Sequence, residues 1–109
     1  MIDDGEIERA LDYLRDNAEL AAQARANRIY LEEFRKSKKA LLMSQSNVEA
    51  VNAQERYAYA HPEYQEFLTG LKAAIFEDEK HRFLLAAASA KIDAWRTEQS
   101  TLRSMGSLA

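Results

Sequence analysis

Apolar residues recur three and four apart along most of this chain, the spacing of an amphipathic helix rather than the alternation of a half-buried strand. Helix-favouring residues run from Asp4 to about Ser44 with no Pro and no Gly beyond Gly5. Asp3 or Asp4 can cap that first helix, and Glu6 and Glu8 fall in its first turn, where carboxylates complement the macrodipole. The polar run Ser44-Gln45-Ser46-Asn47 breaks the pattern. Ser46 and Glu49 have capping-box spacing, which predicts a short second helix over 47–60. His61-Pro62 is a firmer boundary, because the residue before Pro leaves the helical region while Pro suits the first helical position. A third helix is expected over 62–104, with Gly70 tolerated inside it at about 1 kcal/mol relative to Ala. Residues 105–109 are expected to fray.

The same spacing sets the packing. In the third helix Tyr64, Leu71, Asp78, Leu85, Ile92 and Gln99 alternate with Phe67, Ala74, His81, Ala88, Trp95 and Leu102 to make a 3-4 seam over more than five heptads. The first helix answers with Ala10, Asn17, Ala24, Leu31 and Lys38, joined by Tyr13, Leu20, Asn27, Phe34 and Leu41. The expected fold is therefore all-α: an antiparallel, coiled-coil-like hairpin of two long helices with the short helix at its tip, one helical domain over residues 1–109. Aligning the seams sets Ala21, Ala22 and Ala24 beside Ala86, Ala87 and Ala88 as a narrow waist. It also sets Asn27 beside Asp78 and His81 as a polar layer that fixes register, flanked by Arg28 and Arg82.

Some apolar positions fall off the seam. Phe76 and Phe83 lie on the far side of the third helix, while Ile7, Leu11 and Leu14 widen the stripe of the first. Two helices cannot cover both faces, so a homodimer forming a four-helix bundle is the expected way to bury them. Folding the short helix back over Phe76 and Phe83 is the rival arrangement.

Composition narrows the function classes. The 109 residues have no Cys, hence no disulfide framework, thiolate metal site or thiol nucleophile, and a cytosolic setting is the natural expectation. No apolar run approaches the roughly 20 residues of a membrane span, and the acidic start Met1-Ile2-Asp3-Asp4 is unlike a signal peptide. Net charge is −3, but it is unevenly spread. Residues 1–20 hold seven acids against Arg9 and Arg15. Residues 21–45 hold Arg25, Arg28, Arg35, Lys36, Lys38 and Lys39 against Glu32 and Glu33. Acids at a helix start and bases at its end suit the macrodipole, which is the simpler reading; a basic tip facing phosphate or an acidic partner is the other.

Candidate chemistry is sparse. Asp78 and His81 have the spacing of a carboxylate–imidazole half-site, yet a metal centre needs more ligands than the one other histidine, His61, can offer. No Gly-rich phosphate loop is present, and a helical hairpin offers no concavity for paired catalytic carboxylates. No enzyme activity, metal or cofactor is expected. Arg35, Lys36, Lys38 and Lys39, with Tyr57 and Tyr59 across the break, mix cations with aromatics as single-strand binders do, and are the candidate nucleic-acid or partner contacts.

Two stretches, DYLRDNAELAAQARANRIYLEEFRKSKKALLM at 12–43 and AQERYAYAHPEYQEFLTGLKAAIFEDEKHRFLLAAASAKIDAWR at 53–96, resemble small helical proteins encoded by tailed bacteriophages and prophages. The landmarks are the Tyr-Leu-Glu-Glu-Phe-Arg-Lys-Ser run at 30–37, the Ala-His-Pro-Glu-Tyr turn at 60–64 and Ile-x-x-Trp-Arg at 92–96. The resemblance implies a phage accessory protein, often encoded among recombination and replication genes, and carries no site residues with it. The leading expectation is a non-enzymatic factor of recombination or replication in the bacterial host cytoplasm that touches a phage or host protein or, through the basic and aromatic residues above, single-stranded DNA. The alternatives are an inhibitor of a host nuclease or defence complex, presenting Asp3, Asp4, Glu6, Asp12 and Asp16 as a nucleic-acid mimic, and a structural assembly protein.

Overall fold

The computed structural model describes residues 1–108, and after Met1, Ile2 and Asp3 all of them are helical or in the short segments that join helices. Helix α1 spans Asp4–Ser44, α2 Val51–Ala60 and α3 Pro62–Leu108; there is no strand among the described residues. The chain divides into two compact units, Met1–Ala22 with Lys80–Ala109 and, between them in sequence, Gln23–Glu79. Each unit contains a stretch of α1 lying antiparallel to a stretch of α3.

Local chemistry explains the boundaries. Asp3 caps α1 through a reciprocal box: Glu6 N donates to Asp3 Oδ1 at 2.8 Å and Asp3 N to Glu6 Oε2 at 3.1 Å. At the other end of α1, Gln45 N bonds the Leu42 carbonyl and the Ser46 hydroxyl bonds that of Met43 at 2.9 Å. Spent on that terminus, Ser46 does not cap α2, which starts at Val51 rather than 47 and has Ala50 at its N-cap without a side-chain bond. Gln54 Nε2 instead ties down the connecting loop by donating to the Val48 carbonyl at 3.0 Å. His61 is extended, ends α2 and caps α3, its Nδ1 accepting from Glu63 N at 3.0 Å across Pro62.

In the unit Gln23–Glu79 the core is small and closes on α2. Leu42 and Ala58, 1% and 0% exposed, pack with Tyr64, and Met43 and Leu68 lie against them. Further along, Leu71, Ala74 and Asp78 are buried on α3. Phe34 meets Phe67 with centroids 5.9 Å apart, and Lys38 reaches Glu63 at 3.2 Å. In the unit of the chain ends, Ile7, Ala10 and Ile92 are the buried apolar residues among those described. There Ala87 and Ala88 face Ala10 and Tyr13, and Glu98 accepts from Ile2 N.

Those pairings correct the expected alignment by roughly two turns of helix. Ala87 and Ala88 do not meet Ala21 and Ala22, so the predicted waist does not form there. The long Arg28 side chain alone reaches the partner expected for its neighbourhood, Asp78. The expected inward face of α1 holds at Ala10, Tyr13, Asn17, Ala24, Leu31 and Phe34, and is displaced by one position at Leu20, Asn27 and Leu41. The observed face runs through Ile7, Ala10, Leu14, Asn17, Ala21, Ala24, Arg28, Leu31 and Leu42, while Leu20, Asn27 and Leu41 are exposed. Ile7 and Leu14 belong to this face, buried and half-buried, rather than to a surface stripe.

Two substitutions probe this packing by urea unfolding. Leu42→Ala should destabilise by about 3 kcal/mol, because the closed site around Ala58 and Tyr64 leaves little room to collapse. Gly70→Ala places a methyl group that meets nothing within 4 Å beyond its own turn of helix and should stabilise α3 by about 0.7 kcal/mol.

Candidate functional site

The basic residues near the end of α1 divide between two flanks because residues two apart on a helix point about 200° apart. Arg35, Lys36 and Lys39 turn toward α2 and, with Tyr59 and Tyr64, line a groove of about 340 Å³. Lys38 turns to the other flank, where its ion pair with Glu63 lies beside Phe34, Glu66 and Phe67. Tyr57 and Tyr59 separate for the same reason. Tyr59 enters the groove and stands edge-on to Tyr64 at 5.3 Å; Tyr57 instead packs against the His61 ring at 5.6 Å. Of the six basic and aromatic candidates, four therefore share one groove, and Lys38 and Tyr57 lie outside it. Tyr64, read from its spacing as core, is both buried and a wall of the groove. That double role follows from α2 folding against α1, which spacing within one helix does not encode.

Lys39 is the most constrained cation of the groove. Its Nζ lies 4.9 Å from the centre of the Tyr59 ring and 3.5 Å from Glu55 Oε1. Contact with Tyr59 first, and then the Glu55 carboxylate, raises its pKa against the opposing effect of desolvation, so it stays charged throughout the neutral range. Arg35 and Lys36 are exposed and form no ion pair with another described residue. The groove thus offers two uncommitted cations beside one held in place over an aromatic ring.

The polar layer forms with a different partner from the one expected. Asp78, 1% exposed, meets Arg28 rather than Asn27, with Arg28 Nε 2.7 Å from Asp78 Oδ2. The approach is close but poorly aligned, so it is a charge contact more than a directed hydrogen bond. The same guanidinium lies 3.7 Å from Glu32 and 4.0 Å from Glu79. Asn27 is exposed. His81 is half-buried, and its Nδ1 is buried without a hydrogen-bond partner. Among the described residues no three His, Asp or Glu side chains converge in a way that could hold a metal ion, and Asp78 is committed to Arg28. The signal for this pair was present in the sequence, since a carboxylate at a seam position requires a cation within reach.

Of the apolar surface candidates, Phe76, Phe83 and Leu11 are exposed, at 64%, 72% and 52%. Ile7 is buried and Leu14 half-buried, so these two serve the helix pair itself. Among the described residues no helix is long and apolar enough to cross a membrane.

No protein-family model, curated protein or solved structure matches this chain.

The Arg28–Asp78 contact can be checked by a double-mutant cycle read through urea unfolding. Arg28→Met should destabilise by about 3 kcal/mol, because it leaves a buried carboxylate without its cation. Adding Asp78→Leu should recover most of that loss.

Proposed function

We propose that this protein is a non-enzymatic accessory factor of a tailed phage or prophage that works in the host cytoplasm as a self-associated unit. In this reading the groove of Arg35, Lys36, Lys39, Tyr59 and Tyr64 holds single-stranded DNA during recombination or replication. One observation carries the DNA contact: three cations from α1 and two tyrosine rings from beyond the loop converge on a single groove. Phosphates are met by the exposed Arg35 and Lys36, and a base stacks on the exposed part of the Tyr59 ring. The phage setting is supported by the resemblance of residues 12–43 and 53–96.

A second reading keeps the phage setting and exchanges the partner. The acidic segment 1–20, with seven acids against two bases, would dock on a host nuclease or defence complex in place of nucleic acid.

Fluorescence anisotropy with a labelled oligothymidylate separates the two. Binding should weaken with salt at a log–log slope of about −2, as expected for three cations on a single strand. Arg35→Gln and Lys36→Gln should each weaken it severalfold, whereas Lys38→Gln, a cation on the opposite flank, should leave it nearly unchanged. Equal sensitivity at all three positions would assign the binding to general charge rather than to this groove. No binding at low salt would overturn the DNA reading and favour the protein-docking one.

A further inference from the structure

The unit of the chain ends has a second groove, of about 280 Å³, with small and apolar residues between charged ones. It is lined by Glu6, Ala10 and Tyr13 from α1 and by Leu84, Ala88 and Lys91 from α3, with Arg9 and Ala87 on its walls. The lining residues recur at i, i+4 and i+7 on both helices, which is the face that a packed helix pair presents to another pair. Within this unit only Ile7, Ala10 and Ile92 are buried apolar residues among those described, while Leu20, Leu84 and Leu102 remain exposed. So thin a core leaves most of the apolar side chains still facing water.

The charge on the two helices indicates what covers this face. The segment 1–22 carries seven acids and two bases; the segment 80–109 carries five bases and two acids. The ion pairs of Arg15 with Asp12 and Asp16, and of Arg96 with Asp93, run along single helices and leave the contrast between the helices in place. There are two ways to lay the face on a copy of itself about a twofold axis. An axis crossing the helices at right angles sets α1 on α1, acid against acid. An axis running along the helices sets α1 on the α3 of the other copy, acid against base. The second arrangement keeps each level of the hairpin opposite itself, so Glu6 of one copy faces Lys91 of the other and Ala10 faces Ala88.

We infer that the groove of Glu6, Ala10, Tyr13, Leu84, Ala88 and Lys91 is covered by a second copy of this chain about an axis running along the helices. The four helices of the two end units form a bundle in which α1 of each copy packs on α3 of the other. This rests on the self-association proposed above and specifies its geometry. The alanines let the helices approach closely, and the acid–base contrast rejects the crossed arrangement.

Light-scattering mass measurements test it on the full chain, with circular dichroism confirming that each variant stays helical. The unaltered protein should have twice the 12.4 kDa mass of one chain. Glu6→Lys and Lys91→Glu, each alone, place like charges across the interface and should shift the mass toward one chain, with dimerisation weakened at least tenfold. Mixing the two variants should restore the dimer, because residue 6 of each copy in the mixed dimer again faces a residue 91 of opposite charge. A charge contact within one chain would not respond to mixing. Since Glu6 also bonds the Asp3 amide, its reversal loosens the first turn of α1. Ala87→Arg, at an exposed wall position, blocks the groove independently of that turn and should also give one-chain mass. A dimer that ignores both Ala87→Arg and the charge reversals, or variants that fail to recover on mixing, would overturn this arrangement and leave self-association standing. An unaltered protein with one-chain mass would overturn both.

Discussion

A carboxylate held inside a helix pair must be neutralised there, and that requirement organises the unit Gln23–Glu79. Asp78 lies on the seam face of α3 with almost no contact with water, and Arg28 is the cation that meets it. Such a contact is a poor source of net stability, because desolvating both charges offsets most of their attraction. It is a good source of specificity. Sliding α1 along α3 by one turn would separate the two charges by about 5 Å and strand the carboxylate. The apolar contacts around it, Phe34 on Phe67 and Leu71 with Ala74 nearby on α3, are more permissive, since one aliphatic or aromatic neighbour can replace another at modest cost.

About four helical turns from that pair, in the same unit, α2 closes the small core. Ala58 fits without exposure against Leu42 and Tyr64, where a larger side chain would hold the helix away. His61 and Pro62 make this possible by stopping α2 and starting α3 within one residue, while Gln65 Nε2 donates to the Tyr59 carbonyl at 2.7 Å and straps the turn. The same closure brings Tyr59 and Tyr64 beside Arg35, Lys36 and Lys39. The candidate site is therefore a product of core packing. Its aromatic wall is continuous with the residues that hold α2 in place.

Much of the helix layout was legible because its determinants are local. The end of α1 at Ser44, the stop at His61 and the seam of α3 follow from caps, Pro and 3-4 spacing. The start of α2 was misread for a physical reason: Ser46 could serve either helix, and it bonds the carbonyl of Met43. On α1 the seam beginning at Ala10 has two neighbouring registers, one through Asn27 and Leu41 and one through Arg28 and Leu42. Both carry enough apolar residues to pass. The choice between them rests on α3, where Asp78 accepts Arg28 and has no use for Asn27. In the candidate groove Arg35, Lys36, Lys39 and Tyr59 were legible as a cationic and aromatic cluster, whereas the exclusion of Lys38 and the inclusion of Tyr64 were not.

By itself the sequence determined the three helices and their order, though not where α2 begins or that α3 continues to Leu108, because capping, proline geometry and apolar spacing act within a few residues. It also determined where acid and base concentrate along the chain. The tertiary structure decided which of two adjacent faces α1 turns inward, how far the helices slide past one another, and which cations share a groove with tyrosines. Those outcomes depend on the partner surface across the interface, and a one-residue rotation or a two-turn slide leaves every local preference equally satisfied.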